Sequence, residues 1–381
     1  MREGWTYKKL GEVGIVVTGS TPSTKDEANY ASPDYCFVKP SDLPSEGIAV
    51  IDESEFHISS KAFNSARQLP KGSVVVSCIG IIGKVGILNK QACTNQQINA
   101  IIPNDTILPK CLAYIICNNK RELEQIANAP IVPIINKSEF SKFSIPVPPL
   151  SEQQSIVVEL DKINELISLK KAQLSDLDSL AQSIFYDMFG DPIANEKGWE
   201  VKKLGEVGEI VAGSTPSTND EENWGGNINW VTPAELGDQL FYGETVRKLT
   251  EKGAKRLIIM PVGTVLLSSR APIGKLAITT VPMCCNQGFK NIICNDSINN
   301  IFLYFYLLNT IESVKSMGRG ATFKEVSKTA ISSYNVPLPP LSLQQEFAKR
   351  IELIEQQKAQ ISSTIKDLET LLASRMQHWF D

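Results

Sequence analysis

The chain has 381 residues, of which 42% are hydrophobic and 21% are charged, a composition typical of a globular protein long enough for two or three cores. It has no apolar run of the roughly 18 residues that a membrane helix needs and no apolar signal-peptide core at its start, so we expect a cytoplasmic protein without a membrane span. The formal net charge of −4 is not that of a protein that binds DNA unaided through a basic surface.

The reactive side chains argue against an enzyme. The 8 cysteines show no CxxC pair and no histidine at ligand spacing, so the sequence predicts reduced thiols and no metal site. Cys284 and Cys285 are interpreted as buried packing residues. Neither His57 nor His378 stands in a triad-like or metal-like pattern. We also find no phosphate-binding loop and no dinucleotide or adenosylmethionine fingerprint.

The chain opens with a motif that returns later. Residues 5–24 match residues 199–218 at fifteen of twenty positions. The shared block Gly-Ser-Thr-Pro-Ser, at 19–23 in the first copy, has turn chemistry and predicts a loop between strands. Short apolar runs broken by Gly and Pro, such as residues 72–77 and 263–268, read as buried strands. Together they predict a mixed α/β or α+β globule in each copy.

A stretch without Gly or Pro follows, from Ser151 to about Met188. Its apolar residues recur at alternating steps of four and three, which predicts a heptad-patterned helix of roughly 55 Å. A second such helix runs from Ser342 to the end of the chain. Both begin with Pro-Pro-Leu-Ser, and proline and serine are typical of a helix start. The predicted seam residues are Ile156, Leu160, Ile163, Ile167, Leu174, Leu177, Ile184, Phe347, Ile351, Ile354, Ile361, Ile365, Leu368 and Leu372.

The predicted order is therefore globule, helix, globule, helix, with boundaries at 1–150, 151–190, 191–340 and 341–381. We expect an α+β (mixed α/β) fold in which two similar globules form a pseudo-two-fold internal repeat. We expect the two long helices to pair as an antiparallel coiled coil, because a parallel pair would need a connection along the whole helix length.

Two globules joined by a rigid spacer suit a linear target with two separated parts, and double-stranded DNA is the first candidate. The globules are nearly neutral, with 15 basic and 14 acidic residues in 1–150. They can still read base edges if positive groups gather on one face or a partner supplies phosphate contacts. A protein-interaction scaffold is the alternative, and a fused nuclease or methyltransferase is disfavoured by the missing motifs.

Charge on the helices points to further contacts. Residues 151–190 carry 3 basic and 7 acidic side chains, which are interpreted as a solvated face or, alternatively, as a docking surface for a protein. Three basic residues interrupt the seams, and we interpret them as fixing the register, with contact to DNA backbone or a methyltransferase as the alternative. These residues are Lys170, Lys358 and Arg375.

Over essentially its whole length the chain resembles the specificity subunit of type I restriction-modification enzymes. The resemblance rests on the ordered, duplicated set Trp-x-x-Lys-Lys-Leu-Gly-Glu, Gly-Ser-Thr-Pro-Ser, Ile-Gly-Lys, Asn-Gln, Pro-x-Pro-Pro-Leu-Ser-x-x-Gln-Gln and long helix. It implies two target-recognition domains that each read half of an interrupted DNA sequence, in a chain without catalysis or bound cofactor. It implies, as partners, two adenine methyltransferase subunits with S-adenosylmethionine and restriction/translocase subunits with ATP and Mg²⁺.

Side chains suited to base edges are Arg, Lys, Asn, Gln, Ser and Thr. We predict DNA contacts from Ser20, Thr21, Ser23, Lys84, Asn95, Gln96, Ser214, Thr215, Ser217, Arg270, Lys275, Arg319 and Thr322. Residues shared by both copies are better suited to holding the fold or touching phosphate, so Arg270 and Arg319 are the preferred specificity residues. The alternatives are that Gly-Ser-Thr-Pro is a tight turn and that the Asn-Gln side chains are satisfied core amides.

Overall fold

The chain forms two compact units in the computed structural model. The first unit comprises Met1–Lys170 and Thr364–Asp381, and the second comprises Lys171–Ser363. Each unit contains one globule together with a segment of each long helix. The structure describes residues 4–127, 132–270, 272–318 and 324–380.

In its described residues the first globule has ten short strands and five short α-helices. Its strands are β1 (Thr6–Lys9), β2 (Gly14–Thr18), β3 (Tyr35–Val38), β4 (Ile48–Ile51), β5 (His57–Ile58), β6 (Val74–Ser77), β7 (Val85–Leu88), β8 (Ala92–Thr94), β9 (Ile98–Pro103) and β10 (Ser144–Val147). Its helices are α1 (Leu10–Val13), α2 (Ser60–Ser65), α3 (Pro109–Asn118), α4 (Lys120–Ile126) and α5 (Lys137–Lys142).

These strands form three sheets. A five-stranded sheet has the order β2-β9-β6-β7-β4, a three-stranded sheet has the order β5-β3-β8, and β1 pairs with β10. Every residue of β6 and β7 is buried, which explains why these strands read as continuous apolar runs rather than as alternating patterns. Most of α3 is buried as well, and its Leu112 and Ile115 join the same core.

The part of the second globule that the structure describes has its own ten strands and five short α-helices. The strands are β11 (Glu200–Lys203), β12 (Gly208–Ala212), β13 (Trp224–Val231), β14 (Phe241–Tyr242), β15 (Arg247–Leu249), β16 (Val265–Leu267), β17 (Leu276–Thr279), β18 (Met283–Cys285), β19 (Lys290–Cys294) and β20 (Asn335–Leu338). The helices are α7 (Leu204–Val207), α8 (Glu251–Ala254), α9 (Asn300–Asn309), α10 (Ile311–Ser316) and α11 (Lys328–Ser332). Cys284 and Cys285 are buried, as predicted.

The strand order of the first globule is repeated in the second. The sheets are β12-β19-β16-β17-β14, β15-β13-β18 and β11-β20, which is the order of the first globule with each strand number raised by ten. The predicted internal repeat and the mixed α/β fold class are therefore confirmed. No helix in the described parts of the chain combines the length and apolar character that a membrane crossing requires.

Two helices of 40 residues complete the chain, α6 (Leu150–Phe189) and α12 (Leu341–Phe380). All fourteen predicted seam residues are buried or half-buried. In the first unit Glu159 of α6 contacts Arg375 of α12. In the second unit Asp178 contacts Lys358, and Phe185 packs against Phe347. Residue numbers rise along α6 as they fall along α12, so the paired segments run antiparallel.

One buried glutamine fixes the start of each long helix. The Gln153 side chain is fully buried. Its carbonyl oxygen accepts from the Leu108 amide at 2.8 Å, and its NH₂ group donates to the carbonyls of Thr106 at 3.0 Å and Pro148 at 2.8 Å. Gln344 is held in the same way at the start of α12. The first glutamine of the Gln-Gln motif thus ties the helix to its globule.

Candidate nucleic-acid interface

The repeated Gly-Ser-Thr-Pro-Ser loop lies against the Asn-Gln turn in the first globule. The Ser20 amide donates to the Thr94 carbonyl at 2.9 Å, and the Thr21 hydroxyl donates to the side-chain carbonyl of Gln96 at 2.6 Å. A Cβ on Gly19 would stand 2.1 Å from the Asn95 carbonyl oxygen, so the close approach of the two segments requires glycine. The fold thus brings together motifs that lie 75 residues apart in sequence.

The second globule repeats this loop–turn pair. The Ser214 amide donates to the Cys285 carbonyl at 2.9 Å, and the Thr215 hydroxyl donates to the Gln287 side chain at 2.6 Å. A Cβ on Gly213 would meet two backbone carbonyl oxygens at 2.2 Å. Because the geometry is the same in both copies, the pair belongs to the shared scaffold.

Most of the side chains predicted for DNA contact on this loop–turn pair are open to solvent. Asn95 is different: it is 6% exposed, and its side chain donates to the Gln97 side chain at 2.8 Å and accepts from the Gln97 amide at 3.1 Å. This placement favours the structural alternative for Asn95. Arg319 and Thr322 lie outside the described residues. Ser20 is half-buried, and the exposed members are Thr21, Ser23, Gln96, Ser214, Thr215 and Ser217.

Both predicted lysines brace a neighbouring turn. The Lys84 ammonium donates to the backbone carbonyls of Pro40 at 3.1 Å and Leu43 at 3.0 Å. The Lys275 ammonium donates to the Leu236 carbonyl at 2.5 Å. Both ammonium groups therefore hold the turn after β3 or β13. The contact of either lysine with DNA remains a prediction. The observed hydrogen bonds give both lysines a structural role without it.

Arg270 stands beside a partly buried ion pair that is specific to the second globule. Its backbone forms an isolated antiparallel bridge with Glu325. The Glu325 carboxylate pairs with the Lys290 ammonium at 3.0 Å, and Lys290 is 8% exposed. The first globule has Ile79 and Asn99 at the corresponding positions. The sequence signal for this pair is a lysine at the start of a short strand that ends in apolar residues.

A cluster that the sequence pattern did not reveal surrounds the loop of the second globule. Its members, here called the tryptophan cluster, are Trp224, Trp230 and Arg247. The Arg247 guanidinium carbon lies 3.6 Å from the Trp224 ring centroid and 5.4 Å from that of Trp230. The indole N–H groups of Trp224 and Trp230 donate to the carbonyls of Ser217 at 3.2 Å and Ser214 at 3.1 Å. An exposed arginine is thereby fixed beside a predicted DNA-contacting loop.

The loop of the first globule is held by one contact that both copies share, since Asn223 donates to the Ser217 carbonyl at 3.2 Å as Asn29 does to Ser23. Its second contact differs, because Tyr30 stands at the position of Trp224. The Tyr30 hydroxyl donates to the Pro22 carbonyl at 2.8 Å, and the Asn29 side chain donates to the Ser23 carbonyl at 3.0 Å. In place of an arginine between two indoles, Lys39 lies 3.0 Å from the Phe56 ring centroid. The two copies therefore share a loop backbone but present different chemistry around it.

Two of the basic seam residues pair with acids of the other long helix. The Arg375 guanidinium donates to both carboxylate oxygens of Glu159, and the Trp379 indole N–H donates to the same carboxylate at 3.0 Å. The Arg375 guanidinium, with a smaller contribution from Trp379, holds the pKa of Glu159 below its usual range. Lys358 pairs with Asp178 at 2.8 Å. These pairs support the interpretation that the two residues fix helix register.

Cys36, Glu53 and His57 lie together in the first globule. Strands β3 and β5 pair with Cys36 opposite His57. The Cys36 sulfur is 4.0 Å from His57 Nε2 and 3.7 Å from Glu53 Oε2, and the latter two atoms are 3.3 Å apart. Strand pairing joins residues that are 21 apart in sequence, so this proximity is one that ligand spacing along the chain does not reveal.

Comparison with protein families gives two matches along the chain. Residues 2–178 and residues 196–370 each match the family described as "Type I restriction modification DNA specificity domain". The two matched segments correspond to the two copies of the internal repeat and together cover most of the chain. The family therefore accounts for the duplication as well as for the individual globules.

Two relatives come from Methanocaldococcus jannaschii. The type I restriction enzyme MjaIX specificity subunit is 39% identical over 195 residues, which is 48% of this chain and 44% of that subunit. The chain thus spans less than half of that relative in the match. The putative type I restriction enzyme MjaX specificity subunit is 26% identical over 413 residues and is matched over 97% of this chain and 93% of its own length.

Solved structures share the whole fold at low sequence identity. The S subunit of a type I restriction-modification system from M. genitalium aligns with a TM-score of 0.60 and 16% identity, over 99% of this chain and 96% of its own. A chain from a structure described as "Structural basis underlying complex assembly and conformational transition of the type I R-M system" aligns with a TM-score of 0.62 and 20% identity, over 99% and 97%. At these identities the likeness concerns the fold.

Proposed function

Because the chain belongs to the family of type I restriction-modification DNA specificity subunits, we propose that it reads the two halves of an interrupted DNA sequence, one half with each globule. In this proposal residues 1–150 and 191–340 are the target-recognition domains, and residues 151–190 and 341–381 are the spacer helices. The protein selects where a methyltransferase and a restriction enzyme act, and it carries out no chemistry itself.

The observation that carries the proposal is a duplicated scaffold with divergent side chains around its shared loop. The strand order is the same in both globules, and the loop–turn pair has the same hydrogen bonds in both. The second globule adds Arg247 on two indoles, whereas the first has Lys39 over Phe56. A common frame with different cations beside the loop suits two readers of different base sequences, since bases are read by specific side chains in the grooves.

The long helices suit the role of a spacer. Forty residues of α-helix extend about 60 Å at 1.5 Å per residue, and half-sites one DNA turn apart are about 34 Å from each other. The ion pairs of Arg375 with Glu159 and of Lys358 with Asp178 fix the register of the paired segments. A spacer with fixed register would hold the length of the unread DNA constant.

The acidic side chains of α6 suit protein partners rather than DNA. Like charges repel phosphate, so the exposed acids Glu165, Asp176 and Asp187 favour a docked protein over the DNA backbone. We propose that two methyltransferase subunits dock there and bind S-adenosylmethionine, and that restriction/translocase subunits using ATP and Mg²⁺ join for cleavage. This chain contributes recognition, so it needs no cofactor of its own.

Reconstitution with an adenine methyltransferase subunit tests the proposal. The complex should bind a DNA duplex that contains both half-sites, and changing either half alone should weaken binding. A matched duplex with the two halves intact but the unread middle randomised should bind as well as the original. Equal binding of the complex to duplexes with and without the two half-sites would favour the protein-interaction scaffold.

A further inference from the structure

We propose that Cys36, Glu53 and His57 form a zinc-binding site in the first globule, a site that is separate from the DNA reading proposed above. A tetrahedral zinc ion holds sulfur, nitrogen and oxygen ligands with S–N, S–O and N–O separations of roughly 3.6, 3.5 and 3.3 Å, given its usual bond lengths. The corresponding separations in the protein are 4.0, 3.7 and 3.3 Å. The three donor atoms therefore already stand close to the corners that a zinc ion would require.

The backbone positions these donors without a metal. Cys36 is 2% exposed and lies on β3, the central strand of its sheet, with His57 opposite it on β5. The loop before His57 is held by two hydrogen bonds: the Ser54 hydroxyl donates to the Phe56 carbonyl at 2.6 Å, and the Glu55 amide donates to an Asp42 carboxylate oxygen at 2.8 Å. Because the donors are already in place, binding the ion costs little of the conformational entropy that ordering them would otherwise require.

A supporting residue orients the carboxylate. The Lys90 ammonium pairs with Glu53 Oε1 at 2.5 Å, while Oε2 of the same group faces Cys36 and His57. Outer partners that orient a metal ligand in this way are a regular feature of metal sites. The side chains of His57 and Glu53 are 28% and 70% exposed, so an ion and a water as fourth ligand can reach the site from solvent.

The second globule provides an internal comparison. Its strands β13 and β15 pair in the same way, but the residues opposite each other are Asn229 and Lys248, which do not form a zinc site. Among the residues that the structure describes, Cys36, Glu53 and His57 are the one group of three with metal-ligand spacing. The site is thus a feature of the first reader and not of the duplicated scaffold.

A zinc ion here would strengthen the attachment of a short strand to its sheet. β5 has two residues and pairs with β3 alone. The ion would link β5 and the loop that carries Glu53 to the central strand through covalent coordination. We therefore expect zinc to stabilise the three-stranded sheet of the first globule and to leave the second globule unchanged.

Zinc titration of the full-length chain tests the proposal. The chain is freed of metal with a chelator and then titrated with Zn²⁺ in competition with a chromogenic chelator. About one zinc ion per chain should bind with Cys, His and carboxylate ligands. Glu53→Gln should weaken binding by at least about tenfold, since even outer-shell changes cost 10–100-fold. Co²⁺ in place of Zn²⁺ should give a thiolate charge-transfer band that Cys36→Ser abolishes.

Glu55→Gln is the matched control, because Glu55 is an exposed acid two residues from Glu53 and outside the cluster. It should bind zinc as the unmodified chain does. Because the Glu53 side chain is exposed, Glu53→Gln should fold normally, and a normal circular dichroism spectrum would confirm this. The proposal is overturned if the unmodified chain takes up no zinc, or if Glu53→Gln and Cys36→Ser bind it as tightly as the unmodified chain.

Discussion

Within the Gln-Gln motif, Gln153 is the residue with a structural role. Its amide is fully buried and bonds three backbone groups, two in the segment before α3 and one just before α6. The neighbouring Gln154, in the same Gln-Gln motif, is exposed. The sequence pattern marks both positions alike, and burial alone separates the structural residue from its neighbour.

Gln153→Ala should therefore destabilise the protein by about 1–3 kcal/mol, the usual cost of leaving buried polar groups without partners. Chemical denaturation followed by circular dichroism measures this difference in the free energy of unfolding. Gln154→Ala is the control and should change stability by less than about 0.5 kcal/mol, as exposed positions usually do. Equal effects of the two substitutions would contradict the assigned role.

If the second globule reads DNA as proposed, Arg247 is the residue expected to contact a base. It is exposed and held by stacking on Trp224, with Trp230 nearby. Arg247→Ala should lower discrimination at one position of the second half-site by about 1–3 kcal/mol, a factor of roughly 5–150 in relative binding. Binding of the reconstituted complex to duplexes with single base changes measures this loss.

The control for Arg247 is Arg256→Ala, which removes an exposed arginine from the same globule and should leave base discrimination unchanged. Recognition of the first half-site should be unaffected in both variants. If Arg247→Ala weakens binding equally for every base at both half-sites, the arginine contacts phosphate or supports the fold.

Among the larger elements, the end of α12 is held to α6 by the ion pair between Arg375 and the titratable carboxylate of Glu159. Arg375, and to a smaller extent Trp379, holds the pKa of Glu159 below its ordinary value near 4.5, and His378 contributes in the same direction. A carboxyl whose pKa is lowered by folding stabilises the protein above its unfolded pKa. That contribution is lost as the pH falls through the folded pKa.

Glu159→Gln should accordingly lower stability at pH 7, and the difference should shrink as the pH falls below the ordinary value near 4.5 and through the lowered pKa of the folded state. Denaturation midpoints of the two proteins between pH 3 and pH 7 provide the comparison. Glu165→Gln, at an exposed acid of the same helix, should show a much smaller pH-dependent difference. A difference for Glu159→Gln that stays constant over this range would contradict the ion-pair account.

The elements themselves were largely predictable, because their signals are local. Heptad spacing and the absence of Gly and Pro predict the two long helices, and the duplicated sequence motifs predict the internal repeat. Partners across strands were not predictable, since pairing depends on register between distant segments. His57 opposite Cys36 and the indoles over Arg247 are contacts of this kind. Phe185, 1% exposed on α6, lies off the predicted heptad seam, and it packs against Phe302 of α9 as well as against Phe347 of α12.

On the scale of the whole molecule, helix length should set the length of the unread DNA. Inserting one heptad into the middle of each long helix adds seven residues, or about 10.5 Å of helix, which corresponds to roughly three base pairs. The seam pattern is preserved because the insertion is a full heptad. The methylated motif of the variant should keep both halves and gain roughly that many unread positions. An unchanged gap would show that the helices do not set it.

The central claim is that this chain directs methylation to a DNA sequence in two parts. The most direct measurement is a single-molecule map of methylated adenines in cells that express the methyltransferase subunit, with and without the gene for this chain. The account predicts that one motif, with two short defined halves around an unspecified gap, is methylated when the chain is present and lost when it is absent. Methylation of the same motifs in both cases would contradict the claim.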